Sequence, residues 1–115
     1  MQLLSTQAQR NLEVFIKYIG IKSAIISDEM SFNLVRHDLY ISATGQKLTF
    51  MLVSKRSYHA QDLKNLAARV SPDRHNGKIS RVFLLDTLLA VHFSINDDVQ
   101  AEEIYQHYQK IARYF

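Results

Sequence analysis

The chain has no cysteine, a single proline (Pro72) and three glycines, Gly20, Gly45 and Gly77. Without cysteine there is no disulfide, no thiolate nucleophile and no Cys-based zinc site, which fits a reducing compartment. Each glycine stands alone at an expected turn, so neither Gly-rich phosphate loop can be written on this sequence. No apolar run approaches the roughly 20 residues needed to span a bilayer. The start, Met1-Gln2-Leu3-Leu4-Ser5, lacks the basic onset and long apolar core of a signal peptide. The expectation is a cytosolic protein.

Catalytic and metal motifs are missing as well. The five histidines, His37, His59, His75, His92 and His107, show no HxH, HExxH or HxxxH spacing, so a metal site would have to be assembled entirely by the fold. None of Ser23, Ser27, Ser54 or Ser94 lies in a nucleophile elbow. The acidic pairs Asp97-Asp98 and Glu102-Glu103 fall at a helix start, where capping and dipole compensation suffice to explain them. The reading is a protein that is not an enzyme and takes no cofactor or metal.

What is present is a well-patterned single domain, 1–115, with 47% hydrophobic residues. A domain of this size buries one core and about two thirds of the surface its unfolded chain exposes. Residues 6–19 predict a helix, with Ala8, Leu12, Phe15, Ile16 and Ile19 in one stripe and Gly20 where a left-handed C-terminal residue belongs. The period then changes to two. Residues 24–27, 31–36, 39–44 and 47–55 are strand candidates, and 32–44 reads equally as one long bent strand. Their connections are too short for crossover helices, so the pairing must be antiparallel.

A second helix is expected at about 59–70, with Ala60, Leu63, Leu66, Ala67 and Val70 buried, ended by Ser71-Pro72-Asp73. The loop 74–78 carries an Asn-Gly turn signal. Strands at 79–86 and 88–95 flank Asp86-Thr87, tight enough for a hairpin. In the second of these, Leu89, Val91, Phe93 and Ile95 face one way while Ala90, His92 and Ser94 face the other. After Asn96-Asp97-Asp98, read as an acidic cap, an amphipathic helix runs to Phe115 on Ala101, Ile104, Tyr105, Tyr108, Ile111, Ala112 and Phe115. The class is α+β, an antiparallel sheet with three helices in the order α-β-β-β-α-β-β-α.

Charge is uneven along the chain. Residues 36–81 carry nine Lys or Arg against Asp38, Asp62 and Asp73, whereas 82–115 carry five acids against Lys110 and Arg113. A solvated surface explains this adequately; an anionic partner is the alternative, and Lys64, Arg69, Arg74, Lys78 and Arg81 would then form a basic face for nucleic acid.

Two stretches carry a family resemblance. The first is Ala24-Ile25-Ile26-Ser27-Asp28, followed by Ser31-Phe32-Asn33-Leu34-Val35, Leu39-Tyr40-Ile41-Ser42 and Leu48-Thr49-Phe50-Met51-Leu52. The second is Asn96-Asp97-Asp98 leading into Ile104-Tyr105-Gln106-His107-Tyr108-Gln109-Lys110-Ile111. Together they resemble the class I chaperones of bacterial type III secretion, closest to the multi-effector branch, although those chaperones are usually acidic and this chain is basic. The resemblance implies a non-enzymatic homodimer, or a heterodimer with a related chaperone, in the bacterial cytosol. Its partner would be the unfolded N-terminal segment of a secreted effector.

Such a client can add a strand to a sheet edge while its side chains fill grooves. The client-binding candidates are Phe15, Ile19, Phe32, Leu34, Met51 and Val53. The faces left for a second protomer give Leu63, Leu66, Val70, Phe83 and Leu85 as dimer candidates.

Overall fold

The computed structural model describes residues 5–22, 26–69 and 80–115. Its elements run α1 (Thr6–Tyr18), β1 (Glu29–Asn33), β2 (His37–Thr44), β3 (Lys47–Ser57), α2 (Ala60–Arg69), β4 (Ser80–Leu85), β5 (Leu88–Asn96) and α3 (Ala101–Ala112), the order expected from the sequence. The five strands form one antiparallel sheet ordered β1-β2-β3-β5-β4.

Helix α1 is closed at both ends by its own residues. Ser5 Oγ accepts from the Ala8 amide at 3.0 Å. At the other end Gly20 adopts φ +91, its amide donates to the Lys17 carbonyl, and the Ile21 amide donates to that of Ile16. This is the Schellman pattern, and Gly20 stands where it was expected. The helix itself stops at Tyr18, with Ile19 as its C-cap.

Tight turns account for the meander. Gly45, at φ +63, opens the two-residue connection between Thr44 and Lys47. Asp86 takes φ +57 between the paired Leu85 and Leu88; a short acidic side chain tolerates this left-handed conformation better than most. Strand β3 contains an irregularity, because Val53 pairs with Ala90 but Ser57 pairs with Leu88. Ser54 spans the break: its Oγ accepts from the buried Leu89 amide and donates to the Arg56 carbonyl, both at 2.8 Å.

Helices α1 and α3 cover one sheet face, and α2 joins them on the same side through Leu66. Leu39, Ile41, Leu48, Phe50, Leu52, Leu89, Val91 and Phe93 supply the floor. Phe15 meets Phe50 and Tyr108 edge-on at 5.4 Å, and Phe50 stacks on Phe93 at 5.1 Å. On the opposite face the register aligns Tyr40, Met51, His92 and Arg81 in one row and Val53, Ala90 and Phe83 in the next. Among the described residues no helix covers that face.

Several expectations are corrected. Among the described residues the first strand is Glu29–Asn33 rather than 31–36; of the candidate 24–27, residues 24 and 25 lie outside the described residues, and Ile26 and Ser27 are not strand. Residues 32–44 are not one bent strand, because the chain reverses at Val35-Arg36 and the Leu34 amide donates to the His37 carbonyl at 3.0 Å. In α2 only Leu66 is buried, Leu63 is half-buried, and Ala60 and Ala67 are exposed, since the helix touches the core along one narrow line.

The acidic cap of the last helix is also corrected. Gln100 is the N-cap of α3 and makes no side-chain cap bond, while Asp97 accepts from the Ser5 hydroxyl. Asn11 Nδ2 donates to the Val99 carbonyl at 2.7 Å. The acidic turn is thus tied to the start of α1. Helix α3 ends at Ala112, although Phe115 beyond it still packs into the core. The expected end of α2 at Val70 to Asp73 and the Asn76-Gly77 turn lie outside the described residues.

Candidate functional site

A groove of about 710 Å³ opens on the helical side of the sheet. Three parts of the chain build it. One bank is the end of α1, where the Schellman turn halts the helix and presents Tyr18 and Ile19. The second is the β1–β2 turn, Leu34, Val35 and Arg36. The third is α3, with Tyr105, Tyr108, Gln109, Ala112 and Arg113 on successive turns of one side.

Apolar surface is left open here. Val35, at the tip of its turn, is 94% exposed, and Tyr18 is 46% exposed while lying at a tilt 5.1 Å from Tyr105. At the tip of its turn Val35 adds nothing to the core, and with Tyr18 it leaves apolar surface in solvent beside the groove.

Beneath the groove His37 and Tyr108 form a buried polar pair, with Nε2 2.8 Å from the phenol oxygen. His37 starts β2 on its core-facing side and also meets the Phe115 ring at 5.4 Å. Burial lowers its pKa below the ordinary value, an effect that nearby Asp38 opposes and Lys55 reinforces. Burial, with a smaller contribution from Tyr105, pushes the Tyr108 phenol up to about 12. Both groups are therefore neutral at pH 7, and His37 Nδ1 has no hydrogen-bond partner. The arrangement anchors β2 to α3. Among the described residues no nucleophile or second base joins the pair, and no group of three metal-ligating side chains occurs.

The sequence-derived candidates separate into distinct places. Ile19 and Leu34 line the groove. Phe32 is half-buried on β1 against the core edge, and Phe15 is wholly buried. Met51 and Val53 lie on the open sheet face, where Val53 is only 6% exposed between its cross-strand neighbours. Of the dimer candidates, Phe83 and Leu85 are on that open face, Leu63 and Leu66 point toward the core from α2, and Val70 lies outside the described residues.

Lys64 and Arg69 are exposed on α2, on the helical side of the sheet, and Arg69 lies over the Tyr114 ring. Arg81 is on the opposite face beside His92. Arg74 and Lys78 lie outside the described residues. The three placed cations do not share one face.

Sequence reasoning passed over His37, Val35, Tyr18 and Arg36. For His37 the signal was available: its alternation with Leu39 and Ile41 puts it on the core side.

The fold occurs in known structures. A chain of the HopA1-SchA chaperone-effector complex superposes with a TM-score of 0.66 at 10% identity, covering 94% of this chain and 89% of its own length. YbjN from E. coli superposes with a TM-score of 0.52 at 15% identity, covering 91% and 86%. The resemblance to type III secretion chaperones therefore holds for the fold. No curated protein sequence matches significantly. The model of the SsaM family matches residues 5–115, nearly the whole chain, and the protein belongs to that family.

Proposed function

We propose that the protein is a non-enzymatic chaperone or adaptor that holds an extended segment of a secreted effector in the bacterial cytosol. The observation that carries this reading is the open aromatic groove between α1, the β1–β2 turn and α3, flanked by Val35 and Tyr18 in solvent. Fold likeness to a chain of a chaperone-effector complex supports it.

Among the described residues strand β1 pairs only with β2, which leaves its outer backbone edge available for an added strand beside the groove. A client lying along that edge would direct alternate side chains toward Ile19, Leu34 and the tyrosines. The open face of the sheet, with Phe83 and Leu85 near the β4 edge, is the proposed surface for a second protomer, identical or related. Limited proteolysis of an effector N-terminal segment tests the reading: protection by this protein, lost on substitution of Val35, is the expected result. A client digested equally fast with and without the protein would sink it.

A further inference from the structure

The groove has a chemical bias that an apolar cleft alone would lack. Two arginines line it, Arg36 at the β1–β2 turn and Arg113 at the end of α3, and among the described residues no aspartate or glutamate does. The nearest acid in sequence to Arg36, Asp38, pairs instead with Lys55, Nζ to Oδ1 3.7 Å. Arg113 is held in place by its neighbour, its guanidinium 5.0 Å from the Tyr114 ring centroid and donating to the phenol oxygen at 2.9 Å. That contact orients the guanidinium without neutralising it.

Two helix ends oppose this charge. The groove lies beside the C-terminal ends of both α1 and α3, and each helix end contributes about half a negative charge. For α1 the last carbonyls are already engaged by the Gly20 and Ile21 amides. Two full positive charges against at most about one negative charge leave the groove electropositive. The other polar groups at its rim include the Asn33 and Gln109 amides, and Gln109 Nε2 already donates to the Tyr105 phenol.

From this we infer that the groove selects for carboxylates: its occupant is an extended peptide whose apolar side chains alternate with aspartate or glutamate. The apolar residues lie among Tyr18, Ile19, Leu34 and Tyr105, and the carboxylates meet Arg36 and Arg113. The inference rests on the client-binding reading and adds the sequence class of the client. Such a segment also explains why a protein that binds extended chains would carry positive charge at its groove, since like charge would exclude basic segments.

The test uses three short synthetic peptides of identical apolar pattern whose intervening positions are all Asp, all Asn or all Lys, titrated by fluorescence anisotropy at low and high salt. The Asp peptide is expected to bind about fivefold or more tighter than the Asn peptide at low salt, with the difference shrinking at high salt. Arg36→Glu should reverse the ranking in favour of the Lys peptide; because Arg36 sits on an exposed turn, the variant is expected to fold, and circular dichroism checks that it does. Equal affinity for all three peptides, with Val35→Asp still weakening each, would overturn the carboxylate preference and leave the client-binding reading standing. Binding of none, or binding indifferent to Val35→Asp, would overturn both.

Discussion

The Tyr108 phenol and the His37 imidazole meet at 2.8 Å beneath the groove, joining the start of β2 to the middle of α3. They are 71 residues apart in sequence. Two polar side chains thus lock the turn that carries Val35 and Arg36 against the helix that forms the facing bank. Two banks of the groove are thus tied together by a bond inside the core.

Replacing Tyr108 with Phe keeps the ring packing against Phe15 but leaves His37 Nε2 buried without a partner, so the variant should lose about 1–3 kcal/mol of stability. Urea unfolding measures this. A loss below a few tenths of a kcal/mol would mean that the histidine finds another partner.

His37 also predicts a pH dependence. Its folded-state pKa is depressed below the ordinary 6.5, so the unfolded chain takes up a proton first as pH falls. Stability is therefore fully retained above the unfolded value and declines as pH drops from there toward the folded value. Comparing urea midpoints at about pH 7.5 and about pH 5.5, His37→Gln should show a smaller drop than the parent protein. An unchanged slope would assign the effect to other groups.

Asp86 occupies a left-handed conformation in the β4–β5 hairpin. Asp86→Gly should be neutral or mildly stabilising, whereas Asp86→Val should cost about 1–2 kcal/mol because a β-branched side chain resists positive φ. Thermal unfolding of the pair separates backbone strain from loss of charge, since both substitutions remove the carboxylate.

Val35→Asp and Phe15→Ala distinguish surface from core. Val35 is almost wholly exposed, so its substitution should change stability by no more than about 0.5 kcal/mol while abolishing client protection. Phe15 is fully buried among Phe50, Tyr105 and Tyr108, and truncating it should cost about 3–5 kcal/mol.

The open sheet face gives the last expectation. If Phe83 and Leu85 are covered by a second protomer, Phe83→Glu should convert a salt-independent dimer to a monomer in light scattering. A parent protein that is already monomeric at micromolar concentration would remove the dimer proposal.

Much of this fold is legible in local pattern. The Gly20 stop, the Asp86-Thr87 hairpin and the alternation of Leu89, Val91, Phe93 and Ile95 each follow from residues close in sequence, because turn geometry and strand pleat are set by neighbouring residues. The misreadings have a common cause. Asp97 and Asp98 look like caps for the helix that follows, yet Asp97 accepts from Ser5, 92 residues away. His37 stands in no motif in the sequence, yet it is the core-facing first residue of its strand and its Nε2 pairs with Tyr108.

The sequence by itself determined the order of the elements and the apolar side of most of them, since periodicities of two and 3.6 are properties of single strands and helices. Only the tertiary structure decided which of those sides meet. It covers one sheet face with all three helices and, among the described residues, sets no helix on the other. It also brings Tyr18, Val35, Arg36 and Arg113 around one groove. These juxtapositions arise from packing between segments far apart in the chain, where shape and the satisfaction of buried polar groups select one arrangement from many that the local pattern would allow.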